Sequence, residues 1–162
     1  MINQSTIESL KAMKLTAMAA ELERQLEDAG TYSVLGFEDR IGLLVDAEWN
    51  QRQVNKLARY IKNSHFAAAN ATIEGIEYHD DRKLDKAEIL RFATCQYIED
   101  GHHIILKGSS GNGKTYLACA LGHAACRKFK SVKYVRMPEL LDELNIAKGC
   151  GTFKKPLRPI KR

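Results

Sequence analysis

No stretch of this chain approaches the roughly 18 uninterrupted apolar residues that a membrane-spanning helix needs, so a helical membrane protein is excluded. The opening segment, Met1 to Lys14, lacks the apolar run of a secretory signal. The expected compartment is therefore the cytoplasm, with no membrane partner. Cysteine is scarce: there are four, at Cys95, Cys119, Cys126 and Cys150. They form no CxxC pair and no Cys/His set with zinc-finger spacing. Cys119 and Cys126 share one face of an apparent helix and read as small buried hydrophobes in a reduced protein. No internal repeat is visible, which leaves an ordinary globular reading.

A general basic excess is also missing. The net charge is +5, yet six Lys and Arg residues (148, 154, 155, 158, 161 and 162) and no acid occupy the last fifteen positions. The rest of the chain holds 19 basic and 20 acidic residues. Net charge alone is thus weak evidence for a polyanion partner. With 162 residues, the chain suits one domain, or a small helical domain plus part of a second.

What is present begins with helices. Ser5-Thr6-Ile7-Glu8 reads as a capping box. Ile7, Leu10, Met13, Met18, Leu22 and Leu26 follow at helical spacing, and Gly30 is expected to stop that helix. A second helical stretch runs from about Phe37 to Asn63. Its apolar seam shifts near Asn50, which predicts either two helices or one bent helix. Residues 64–82 lack periodicity and read as a linker. The domain boundary is placed near residue 70, giving a helical N-terminal interaction domain over 1–70 and a partial nucleotide-binding module over 71–162. Asp85 with Glu88 caps a further helix.

The pattern then changes. His103-Ile104-Ile105-Leu106-Lys107 is a short β-branched run and predicts a buried strand. Lys114 to Phe129 predicts a helix, Val132 to Val135 a second strand, and Pro138 opens another helix. Strand, loop, helix, strand, helix is the order of a parallel α/β sheet. The expected fold class is α/β: a helical N-terminal domain followed by the first part of a P-loop parallel-sheet ATPase module.

Between the first predicted strand and its helix lies Gly108-Ser109-Ser110-Gly111-Asn112-Gly113-Lys114-Thr115. It matches G-x-x-x-x-G-K-[ST], in the strand-to-helix context the motif requires. Glycine at 108 and 113 lets the chain curl around a phosphate without a Cβ in the way. Loop N–H groups and the start of the next helix offer donors to phosphate oxygens. Lys114 is expected to reach the β- and γ-phosphates, and the Thr115 hydroxyl to ligate Mg²⁺. The expected ligands are ATP and Mg²⁺.

A second strand ending in an acid, which a hydrolysing P-loop protein uses to hold Mg²⁺ and position water, is not evident. Asp46 and Asp142 follow apolar residues, but both sit in helical patterns. No catalytic residue is assigned. His102 and His103 have no converging ligands and read as ordinary loop residues. Residues 49–73 contain no acid, and Trp49, Arg52, Lys56 and Arg59 fall within an arc of roughly 80° on a helix. Arg52, Lys56 and Arg59 suit phosphate contacts on DNA. A solvated face with Trp49 in the core is the alternative.

These stretches carry a resemblance. Leu10 to Leu15, Phe37 to Arg40, Asp46 to Trp49, Leu57 to Arg59, Asp85 to Gly113, Lys114 to Ala118 and Leu121 to Cys126 together resemble the IstB-like ATPases. These are transposition helper proteins similar to the DnaC helicase loader, within the AAA+ class. The resemblance covers about residues 5–150. It implies ATP-dependent assembly on DNA, a transposase of the same element as partner, and self-assembly with full-length homologues. It implies an acid-bearing strand, sensors and an arginine finger beyond residue 150, none of which is recognisable here. The segment Pro156 to Arg162 departs from the family pattern. The expectation is a C-terminally truncated helper that binds ATP with weak or absent hydrolysis. A helicase-loader fragment, or a non-enzymatic module acting through its N-terminal helices, is the alternative.

Overall fold

The computed structural model describes residues 2–79 and 83–152. The basic positions 154, 155, 158, 161 and 162 lie outside the described residues. The chain divides into two compact units, Met1–Arg59 and Tyr60–Arg162. The elements are α1 (Ile2–Ala12), α2 (Thr16–Glu27), α3 (Ala29–Tyr32), α4 (Phe37–Ser64), α5 (Lys86–Ala93), α6 (Gln96–Glu99), α7 (Lys114–Arg127) and α8 (Met137–Gly149). The unit division falls inside α4. No helix among the described residues is long and apolar enough to cross a membrane.

The first unit departs from the sequence reading at its start. α1 begins at Ile2, so Ser5 lies inside the helix, where its carbonyl accepts from the Ser9 hydroxyl at 2.9 Å instead of capping. The single helix expected up to Gly30 is broken after Ala12. Lys14 is left-handed, with φ 62°. Leu15 N–H reaches Leu10 C=O at 2.9 Å and Lys14 N–H reaches Lys11 C=O at 3.0 Å. This is a Schellman stop with lysine in the place usually held by glycine. α2 then turns back and packs on α1. The core is small, built on Ile7, Ala19 and Leu44, and it includes polar groups. Buried Gln25 donates to Arg40 C=O at 3.1 Å and accepts from Arg40 Nε at 3.1 Å. Glu21, also buried, pairs with Arg24 and accepts from Tyr32. Among the described residues of this unit, no buried side-chain nitrogen or oxygen lacks a partner.

α4 settles the ambiguity near Asn50 as one continuous helix of 28 residues. Leu44 is buried, whereas Phe37, Ile41, Val45 and Trp49 stand exposed along a stripe at four-residue spacing.

The second unit corrects the expected fold class. No β-strand and no sheet occurs among the described residues, so the parallel-sheet ATPase module is not seen. Residues 102–109 and 130–136 are connecting segments without regular structure. A strand is defined by a hydrogen-bonded partner, and apolar β-branched residues do not supply one. Ile105 is 82% exposed, not buried in a sheet. Tyr134 N–H donates to Ser64 C=O at the end of α4, at 2.8 Å, so it is not part of a ladder.

The core of this unit forms around α7. Cys119, Ala120, Leu121, Ala124 and Ala125 cluster with Ala71, Ile73, Ile76, Ile89 and Cys95. Small side chains on α7 let neighbours come close: a Cβ on Gly122 would meet Phe66 Cε1 at 2.5 Å. Asp85 caps α5, accepting from Ala87 N–H at 2.8 Å. Cys119 and Cys126 are free thiols and fully buried.

His123 is buried in α7 and tilts against the Phe66 ring at 4.3 Å. Its Nε2 has no hydrogen-bond partner among the described residues. Burial pushes the imidazole pKa down and Arg127 adds to that, while hydrogen bonding to the backbone of Ala68 and Ala69 opposes it. The folded state therefore disfavours the proton, and the unfolded chain takes it up first. Stability should be complete above the ordinary histidine range and fall as pH drops below about 6.5. Thermal melts between about pH 7.5 and 5 should show this loss, and His123→Gln should flatten it. A flat profile for the native chain contradicts the buried neutral imidazole.

Candidate functional site

The octet Gly108–Thr115 leads directly into α7, which begins at Lys114. Gly113 is the N-cap residue, left-handed at φ 71°, and Gly111 is left-handed at φ 84°. Both conformations are strained for any residue with a side chain. At Gly108, by contrast, a Cβ would meet no heavy atom closer than 3.8 Å. The tight curl thus rests on Gly111 and Gly113, and Gly111 had no assigned conformational role in the motif. Gly113 N–H bonds to Gly111 C=O at 2.9 Å. The first intrahelical bond runs from Leu117 N–H to Gly113 C=O, at 2.9 Å. The N–H groups of Lys114, Thr115 and Tyr116 therefore stand free of intrahelical pairing, which makes the start of α7 a natural anion contact.

The Lys114 ammonium curls back and donates to Ser109 C=O at 2.6 Å. It lies over the loop, held by a neutral carbonyl and, among the described residues, by no carboxylate. Thr115 is exposed, as are Gly108, Ser109, Ser110, Gly111 and Asn112.

Asn112, Gly113 and Lys114 border a cavity of about 530 Å³. Its other side is made by Gly75, Ile76, Glu77 and Leu84, and its floor by Ile105 to Lys107, Tyr116 and Leu117. The volume is within the range of small-molecule sites. Segment 75–77 belongs to the stretch whose sequence lacks periodicity and reads as a linker. The sequence signal that could have singled it out is Gly75. A Cβ there would lie 2.5 Å from Tyr116 Oη and 3.0 Å from Thr72 Oγ1, so a side chain at 75 would force these groups apart. A smaller cleft of about 330 Å³ adjoins at Leu84, lined by Tyr78, His79, Lys83 and Asp85. The described residues contain no group of three or more His, Cys, Asp or Glu side chains placed to hold a metal ion.

Arg52, Lys56 and Arg59 lie on α4 in the first unit. Arg52 is not free: its Nε donates to Glu48 Oε1 at 2.8 Å. Glu48 also accepts the Ala17 and Met18 N–H groups at 3.1 and 3.3 Å, capping the start of α2. The Arg52 bond, joined by those N–H groups, holds the Glu48 carboxyl below its usual range. Glu48 lies immediately before the acid-free stretch 49–73. Lys56 is half-buried, Arg59 is exposed, and Trp49 is 61% exposed rather than tucked into a core. Asp46 and Asp142 lie within α4 and α8.

The sequence model of one family, described as IstB-like ATP binding protein, matches residues 8–162. The chain is 38% identical over 162 residues to a Pseudomonas fluorescens protein named as an ATP-binding protein of insertion sequence IS1162, covering all of this chain and 70% of that protein. It is 34% identical to the insertion-sequence ATP-binding protein y4pL of Sinorhizobium fredii, covering 99% of this chain and 64% of the relative. It is 29% identical over 136 residues to the insertion-sequence ATP-binding protein Rv3427c of Mycobacterium tuberculosis, covering 84% and 53% of the two chains. The chain thus spans between about half and 70% of the length of these curated relatives.

Proposed function

Since the chain belongs to the family of IstB-like ATP-binding proteins, we propose that it is an ATP-binding helper of DNA transposition whose nucleotide site is the loop Gly108–Thr115. The supporting observation is the cavity that this loop shares with residues 75–77. One side offers the cation of Lys114 and the unpaired N–H groups at the start of α7. The other side combines the apolar Leu84 with the Glu77 carboxylate, and Leu117 on the floor adds apolar surface for a purine face. That polarity suits a nucleoside triphosphate, with phosphates on the loop and base toward the apolar wall.

The residues present fit this ligand. Among the described residues, Lys114 has the Ser109 carbonyl alone to release before turning to the β- and γ-phosphates. The loop N–H groups hold phosphate oxygens without any change in charge. Thr115, exposed at the first turn of α7, supplies a hydroxyl to a nucleotide-borne Mg²⁺. The ion offsets phosphate charge when bound. A titration with a fluorescent ATP analogue and Mg²⁺ tests the reading. Saturable binding displaced by unlabelled ATP is expected; a folded chain that binds nothing overturns it.

We propose DNA and a transposase of the same element as partners in the cytoplasm, with self-assembly alongside longer relatives. Names of relatives support the setting, since they belong to insertion sequences. For DNA, the contact residues proposed are Arg52, Lys56 and Arg59. Because Glu48 engages Arg52, phosphate must compete with a carboxylate there. Arg59→Ala should therefore weaken duplex binding more than Arg52→Ala. The triple alanine variant should lower the slope of log affinity against log salt by about 1 to 3. Equal affinity and slope for native and triple variant would exclude α4 as the DNA surface. The exposed stripe Phe37, Ile41, Val45 and Trp49 favours a second reading, in which α4 engages a protein partner.

A further inference from the structure

Both sides of the cavity are fastened to α7. The loop enters its first turn at Lys114, and Tyr116 follows two residues later. The Tyr116 hydroxyl accepts from Thr72 N–H at 3.3 Å. Gly75 N–H donates to Thr72 Oγ1 at 3.0 Å, and Ile76 N–H to Ile73 C=O at 3.3 Å, so residues 72–76 form a closed turn. Ile73 and Ile76 are buried beneath it. Gly75 approaches Tyr116 so closely that a Cβ would lie 2.5 Å from its Oη. About three helical turns further along the same face of α7, Arg127 holds Glu74 at 3.2 Å. The turn 72–76 is therefore strapped along α7, with Tyr116 as the fastening nearest the phosphate loop.

Resting on the reading of Gly108–Thr115 as the nucleotide site, the geometry points to Tyr116 as a positioning residue that sets where the base and ribose lie, and so separates a nucleoside triphosphate from bare polyphosphate. The phosphate side uses Lys114 and backbone N–H groups, none of which needs the Tyr116 hydroxyl. The opposite side does need it. Without that oxygen, Thr72 N–H loses its acceptor and Gly75 its close neighbour, and the wall is free to drift from the loop. The phosphates keep their donors, while the rest of the nucleotide loses a fixed surface.

Tyr116→Phe keeps the ring and removes the fastening. Binding is read with a fluorescent ATP analogue and Mg²⁺, and by its displacement with ATP or inorganic tripolyphosphate. For ATP the variant should weaken affinity about tenfold; for tripolyphosphate it should stay within about twofold of the native chain. Retained tripolyphosphate binding also shows that the variant is folded. Gly75→Ala should give the same split by pushing the wall away from Oη. In the Tyr116→Phe background, Gly75→Ala should cost clearly less than in the native chain, because the atom it strikes is gone. Equal losses for both ligands, no loss for ATP, or additive effects of the two substitutions would each overturn the assignment. The nucleotide-site reading fails separately, if Lys114→Ala leaves both ligands bound as tightly as before.

Discussion

Replacing Lys114 with alanine is expected to weaken ATP binding by at least about 100-fold while unit Tyr60–Arg162 stays folded. The ammonium is the cation of the octet, and among the described residues its contact is the neutral Ser109 carbonyl at 2.6 Å. Charge-assisted hydrogen bonds to phosphate contribute about 1.5–3 kcal/mol each, and Lys114 would supply up to two. Little stability is at stake. The Ser109 carbonyl stays exposed to water when the ammonium is removed. A fluorescent-ATP titration with a thermal melt of both proteins checks this. Matching melts with unchanged affinity would place the nucleotide elsewhere.

Gly122→Ala is expected to destabilise the second unit by about 1–3 kcal/mol, although glycine to alanine inside a helix normally gains up to about 1 kcal/mol. Packing reverses the sign. The new Cβ would sit 2.5 Å from Phe66 Cε1, 2.8 Å from Cζ and 3.5 Å from Val132 Cγ1. Phe66 cannot retreat freely, because its ring lies against buried His123. Phe66→Leu in the same chain should recover part of the loss, since it removes the atoms that collide. Chemical denaturation of the two variants and the double variant measures this. A stabilised Gly122→Ala would mean that Phe66 does not pack on α7 as described.

Part of this architecture is legible in the sequence, and what is hidden has identifiable physical causes. Asp85 and Pro138 mark helix starts because capping and a fixed φ are local chemistry. Gly101 and Gly151 are left-handed at helix ends, where glycine advertises the conformation. Lys14 and Phe129 adopt that conformation without advertising it. Lys14 is why one expected helix became α1 and α2, and Phe129 ends α7 by the same pair of bonds, Lys130 N–H to Ala125 C=O and Phe129 N–H to Cys126 C=O. The expected strands failed for a different reason. Residues 103–107 and 132–135 have the composition of strands, but composition does not choose a hydrogen-bond partner, and Tyr134 finds the end of α4. In the octet, residue types are local information; the wall facing it is not. Gly75 meets Tyr116 across a long sequence separation, through a contact that only the folded chain reveals. The Glu48–Arg52 pair is the opposite case: an i,i+4 pair on α4 that helical spacing alone makes legible.

The central claim, that a nucleotide lies between the loop of the octet and the 72–77 turn, is tested most directly by backbone hydrogen exchange with and without ATP and Mg²⁺. The account predicts slowed exchange in two separate segments, residues 109–117 and residues 72–77, with segments of α1 and α2 unchanged. Slowing confined to other segments, or none at a saturating nucleotide concentration, would contradict it.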